Sequence, residues 1–207
     1  SLNNNVNIRA GGDIVNNTPI TASQGVVDIA STGGTITNAA AISGDAVILA
    51  AAGGLTVQSR VDATGDLTAT TNNGTLSVDA VMNGADVMLG GGDGVQLNQQ
   101  VSATKGMTID SSAGDIMVAA SMAATDDLSI AAAGSLDIQA SVAGESVSLR
   151  GDAGVAVHET VASSTTLFID SAAGDVAIDA AITADDRIEL GADQGSLTTS
   201  VALSSGE

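Results

Sequence analysis

The chain has 207 residues, 24 acidic against 5 basic, and a net charge of −19; 44% of it is hydrophobic, drawn from Ala, Val, Ile, Leu and five Met, with Phe168 the only aromatic residue and no cysteine. That is enough apolar material for one sizeable core or two small ones and too much for a disordered chain, while the missing aromatics point to a narrow interior. The absence of thiols excludes disulfides and thiolate metal sites, and the shortage of Lys and Arg argues against partners that present phosphates, nucleic acid and anionic membranes alike.

The predicted elements begin with Val6/Ile8, two apolar residues separated by one other. The stretch from Gly11 to Pro19, with Asn16-Asn17 inside it, is the most irregular part of the chain. Pro19, the only proline, stands just before a short strand at Ile20/Ala22, a permitted place for a residue without an N–H. From there each repeat brings three apolar pairs in the same order. The first two repeats read Val27/Ile29, Ile36/Asn38, Ile42/Gly44 and Val47/Leu49, Leu55/Val57, Val61/Ala63. Next come Leu67/Ala69, Leu76/Val78, Val81/Asn83 and Val87/Leu89, Val95/Leu97, Val101/Ala103. Met107/Ile109, Ile116/Val118, Met122/Ala124 and Leu128/Ile130, Leu136/Ile138, Val142/Gly144 follow. The series closes with Val147/Leu149, Val155/Val157, Val161/Ser163, then Leu167/Ile169, Val176/Ile178, Ile182/Ala184, then Ile188/Leu190 and Leu197/Thr199. Val201-Ala-Leu203 reads as the start of another repeat.

Glycine fixes the period. Gly34, Gly54, Gly74, Gly94, Gly114, Gly134, Gly154 and Gly174 are spaced by 20 residues, and Gly195 follows at 21. Alternation with period two and a preference for β-branched residues predict strands, and no helical spacing is sustained. Three short strands recurring at fixed offsets predict a solenoid in which each repeat is one coil and equivalent residues stack about 4.8 Å apart. The fold class expected is therefore all-β: a parallel β-helix of about ten coils of roughly 20 residues, three strands to a coil, with residues 1–207 forming one repeat array. Such a stack is about 45–50 Å long. Ala69, Asn83 and Thr199 interrupt their ladders, and an inward Asn38 or Asn83 is tolerable only if hydrogen-bonded.

The glycine-punctuated, aromatic-poor pattern in Val61-Asp-Ala-Thr-Gly-Asp-Leu-Thr-Ala through Gly74-Thr-Leu-Ser-Val-Asp-Ala80 resembles the filamentous-haemagglutinin-type repeats of large bacterial surface adhesins and two-partner-secretion exoproteins. The resemblance spans essentially the whole chain. It implies a right-handed β-helix, export to the bacterial surface, and a role as an elongated extracellular structure. The Asn-Pro motifs of that family's secretion domain are not present in this sequence, and its first residues are not those of a signal peptide.

Sites for chemistry are sparse. Asp66, Asp86 and Asp127 each stand immediately before a first strand of a coil, with Asp45 and Glu145 one position further out. Asp66 and Asp86 belong to successive coils, and Gly90-Gly-Gly-Asp-Gly-Val95 is the best local match to a calcium-binding Gly-Asp repeat. Asp66, Asp86 and Asp93 are thus the calcium candidates, because calcium takes all-oxygen ligands. The bland reading is that they are screened surface carboxylates, since Gly106 and Thr166 interrupt the column and the Gly-Asp match occurs once. No catalytic residue and no cofactor site is expected. His158, the only histidine, reads as a surface residue with no acidic partner at a fixed spacing. The pairs Asp126-Asp127 and Asp185-Asp186 read as turn residues.

A polysaccharide-active β-helix enzyme would need paired carboxylates in a cleft and aromatic platforms, and an ice-binding solenoid would need a flat face of stacked threonines. Thr56 falls in the second column, and Thr68 and Thr108 in the first are separated by Met88, so the outward threonines are scattered. The expected function is a structural segment of a fibre or adhesin shaft, or else a filament subunit that stacks end to end. The partner expected is the chain itself or adjoining repeats through axial coil stacking. Contact with a host or neighbouring-cell surface would run through regions outside this chain, without nucleic acid and without membrane insertion.

Overall fold

The computed structural model describes residues 4–206, and among them there is no helix. The strands are all parallel and stack as a β-solenoid of about ten turns with about 20 residues per turn. Period-two alternation sends one set of side chains inward and the other to solvent, as in Met107–Ser111, where Met107, Ile109 and Ser111 are buried and Thr108 and Asp110 exposed. Each inward residue meets its counterpart one coil away: Leu89 pairs with Ala69 on one side and Ile109 on the other.

The three predicted columns close into two hydrogen-bonded sheets. The second column forms a 10-stranded sheet of its own, from Ile14–Asn16 to Leu197–Thr199. The first and third columns share an 18-stranded sheet, because two strands, Ile20–Ser31 and Ile42–Ala51, run unbroken through the corner between them. That corner tightens in later coils, where separate strands such as Val61–Ala63 and Leu67–Thr71 follow one another.

Two expectations about register are corrected. In the coil that starts at Leu67 the inward third-column pair is Met82/Gly84, not Val81/Asn83: Met82 is fully buried and pairs with Val61 and Val101. Asn83 faces outward, and its Nδ2 donates to Asp62 Oδ1 at 2.7 Å. At the other end, Leu203 is a third-column residue paired with Ile182, so Val201-Ala-Leu203 completes a coil and does not begin one. Sequence reasoning also passed over Ile14–Asn16, which opens the second column.

The core is a narrow tube of Val, Ile, Leu and Met, with small polar residues where the walls turn. Asn16 and Asn38 point inward, and Asn16 Nδ2 donates to Asn38 Oδ1 at 2.7 Å while Asn38 Nδ2 donates to the Ser59 carbonyl at 3.1 Å. Their amides are satisfied, as burial requires. Ser31, Ser111 and Ser171 sit at the ends of first-column strands and accept a hydrogen bond from the N–H three residues on, at Gly34, Gly114 and Gly174. The hydroxyl thereby holds the turn that the glycine makes. A Cβ at Gly114 would lie 1.7 Å from the Asp93 carbonyl oxygen, and one at Gly174 would lie 1.8 Å from that of Ala153. Close packing of successive coils at this corner accounts for most of the 20-residue glycine column, and Gly94 and Gly154 in addition adopt a φ of +145°.

Candidate functional site

The outer surface carries all the titratable chemistry, and the positions just before the first-column strands hold its densest part. Asp66, Asp86, Gly106 and Asp127 occupy one position in four successive coils, since the residues that follow them, Leu67, Val87, Met107 and Leu128, pair in series. Together with Thr68, Met88 and Thr108 they line a shallow groove of about 330 Å³. Gly106 supplies no side chain, and its N–H donates to Asp86 Oδ1 at 3.2 Å. Lys105 Nζ lies 3.4 Å from the other oxygen of Asp86. The lysine and the backbone N–H thus offset part of the charge of Asp86.

Asp93, the third calcium candidate, is exposed on the turn between the first and second columns, at the opposite end of the Val87–Gly91 strand from Asp86. The structure therefore brings Asp66 and Asp86 together and leaves Asp93 apart. Among the described residues no three His, Asp or Glu side chains are grouped so as to hold a metal ion. Asp126-Asp127 and Asp185-Asp186 lie in turns between strands.

Each of the five basic side chains stands beside a carboxylate. Arg9 pairs with Asp28 in the next coil, Arg60 Nε is 2.5 Å from Asp62 Oδ2, and Arg187 Nη2 is 2.6 Å from Glu189 Oε2. Arg150 lies 3.6 Å from Asp152 and 4.0 Å from Asp170. These exposed pairs contribute little to stability individually. They leave the surface potential negative along the rod.

His158 is half-exposed at the surface, as expected, but it does have acidic partners. Its Nε2 is 3.6 Å from Asp137 Oδ1 and its Nδ1 is 3.5 Å from Asp179 Oδ2, so the ring stands between carboxylates of the coils on either side. Both aspartates are 21 positions away in sequence, one coil in each direction, and that separation is the signal that finds them. Asp137 Oδ2 accepts a bond from Gln139 Nε2 at 2.7 Å, while Oδ1 has no hydrogen-bond partner.

A second set of carboxylates, not singled out in the sequence, has a clear structural task. Asp13, Asp115 and Asp175 each use Oδ1 to accept the backbone N–H of the equivalent residue one coil on, at Thr35, Ser135 and Ser196, all at 2.7 Å. The sequence signal is a Gly-Asp dipeptide before a second-column strand: Gly12-Asp13-Ile14, Gly114-Asp115-Ile116 and Gly174-Asp175-Val176. The bond from the Thr35 backbone, with a second from its hydroxyl, holds the Asp13 carboxyl below the ordinary value of 3.8. Asp110, on the outer face of the first column, is pushed the other way by partial desolvation.

These features make an acidic rod with shallow grooves, whose polar side chains are spent largely on one another and on the backbone of the next coil. No protein-family profile, no curated protein and no solved structure matches this chain.

Proposed function

We propose that the chain is a structural segment of an extracellular bacterial fibre or adhesin shaft, supplying reach and rigidity and carrying out no chemistry. The observation that carries this reading is the register, which holds in all three columns from the Val6–Ala10 strand to Leu203–Ser205 and so gives a continuous array with no inserted domain. An array of this kind converts chain length into reach at about 4.8 Å per coil, or roughly 48 Å for ten coils. The negative surface opposes sideways clumping of such rods. The bacterial fibre assignment rests in addition on the resemblance of the repeats to filamentous-haemagglutinin-type sequences.

Antibodies raised against the chain test the assignment on intact cells of the source organism. Immunogold label on projecting surface fibres supports it. Label that appears only after the cells are lysed overturns the extracellular role.

A further inference from the structure

The outer face of the first column differs from the rest of this acidic surface. Each coil shows three outward positions there, a leading, a middle and a trailing one, as in Asp86, Met88 and Gly90. The middle positions run in ladder register from Asp28 to Glu189, and between those two none is charged. Ile48 and Met88, 36% and 47% exposed, stand on this line, and so does Phe168, the only aromatic residue of the chain. Three of the five basic residues, Arg9, Arg150 and Arg187, also lie on this face. The outer face of the second column, by contrast, carries Asp79, Asp137 and Asp179 with no Lys or Arg.

Leading and trailing positions divide the carboxylates between them. Asp66 shares its coil with Thr70, Asp86 with Gly90, and Asp127 with Ala131. Where the leading carboxylate is missing, at Gly106, a trailing one appears at Asp110, and Thr166 is likewise followed by Asp170. The two positions are about 13 Å apart along a strand, more than the Debye length of about 8 Å, so repulsion within one chain does not demand this division.

We infer that two copies of this chain pair side by side through this face, axes parallel, about a twofold that runs along the line of middle positions. That operation lays the leading position of one copy over the trailing position of the other in the same coil. Asp66 then meets Thr70, Asp86 meets Gly90, Asp110 meets Gly106, Asp127 meets Ala131 and Asp170 meets Thr166, so no carboxylate at these positions opposes another. On the axis itself Ile48, Met88 and Phe168 each meet their own copy. Asp28 and Glu189, the carboxylates on that line, already hold Arg9 and Arg187. A slip of one coil would set Asp86 over Asp110, and an antiparallel pair centred on Met88 would set Asp86 over itself. Over the nine coils from Asp28 to Glu189 the face measures about 17 Å by 43 Å, so the pair buries roughly 1,400 Å², within the roughly 1,200–2,000 Å² of a stable interface. The contact is isologous and closed, and the other faces stay acidic, so association stops at two. The pairing depends on the register of the solenoid alone, and its failure would leave the shaft reading as it stands.

The test is sedimentation of the 207-residue chain and four variants at physiological ionic strength, after circular dichroism establishes that each keeps its β signal. The unmodified chain is expected to show a reversible monomer–dimer equilibrium. Met88→Asp sets two new carboxylates against each other across the axis and is expected to weaken the dimer by about tenfold or more. Thr37→Asp adds the same charge to the outer face of the second column and is expected to leave the dimer unchanged. Ile48→Asp and Ile48→Lys are each expected to dimerise poorly alone and to recover on mixing, because position 48 of one copy faces position 48 of the other. An unmodified chain that stays monomeric at the highest concentration, or a dimer that Met88→Asp leaves intact, would overturn the pairing. Failure of the two position-48 variants to recover on mixing would overturn the parallel twofold.

Discussion

Leu89 and Met88 are neighbours in sequence and opposites in environment. Leu89 is fully buried between Ala69 and Ile109, and Met88 points outward and is 47% exposed. Leu89→Ala removes three carbons from the core, about 2.4 kcal/mol at roughly 0.8 kcal/mol per buried methylene. The cavity left behind adds to this. Ala69, directly beside the site, is too short to lean into the gap, and the sheet spacing stops the coils from closing over it. The expected loss is therefore about 3–4 kcal/mol, within the usual range for Leu→Ala in a rigid core. Met88→Ala deletes a side chain of similar size from the outer face and is expected to cost about 1 kcal/mol or less. With no Trp or Tyr to report by fluorescence, the measurement is urea denaturation followed by far-ultraviolet circular dichroism, with the two variants compared in one buffer. Equal losses for the two variants would refute the register on which the whole fold is argued.

Gly114→Ala places a methyl group against the Asp93 carbonyl and is expected to destabilise the fold by about 1–3 kcal/mol, whereas Gly12→Ala, with open space around the position, is expected to change it by less than about 0.5 kcal/mol; thermal melts compare them. Asp110 has a raised pKa in the folded chain, so its ionised form opposes folding above that pKa. Asp110→Asn is expected to be more stable than the parent at neutral pH, and the gap is expected to close as pH falls through the raised value toward 3.8; melts across pH 3–7 check the sign. Asp13 behaves oppositely: its contribution is present above 3.8 and is lost as pH falls through its lowered value, so Asp13→Asn is expected to differ from the parent at neutral pH and to converge with it in acid. If Asp66 and Asp86 are screened and not ligated, sodium chloride and calcium chloride at matched ionic strength are expected to raise the melting temperature equally, and a saturable calcium transition at micromolar concentration would contradict that.

The first and second columns were legible in the sequence because most of their inward positions carry large aliphatic residues, so alternation points one way. The third column was harder, since its second inward position is small and carries little hydrophobic signal. At Val81-Met82-Asn83-Gly84 the pattern fits Val81/Asn83 and Met82/Gly84 alike, and the strand takes the second. A constant step of four residues from the end of each second-column strand decides it: Asn38 to Ile42, Val57 to Val61, Val78 to Met82, Leu97 to Val101. The same step takes Asn16 to Ile20 and Thr199 to Leu203, which recovers the elements missed near both termini. Of the calcium candidates, Asp66 and Asp86 were correctly set side by side, because their distance from the following strand is the same in both coils. Asp93 was joined to them on a motif alone, which says nothing about which corner a residue occupies. The two carboxylates around His158 were missed because neighbours were sought along the chain, while a solenoid places a residue's nearest polar partners one coil away.

The Gly-Asp corners bear on how this molecule responds to being pulled. Tension applied along the axis loads every coil junction in series, and within one junction the ladder hydrogen bonds of all three columns share the load in parallel. Extension therefore concentrates at the weakest junction and does not spread through the rod. Asp13, Asp115 and Asp175 add a side-chain clasp across three particular junctions. Each break under force releases a whole coil of about 20 residues as slack. A solenoid made this way is stiff up to a threshold and then lengthens in uniform steps.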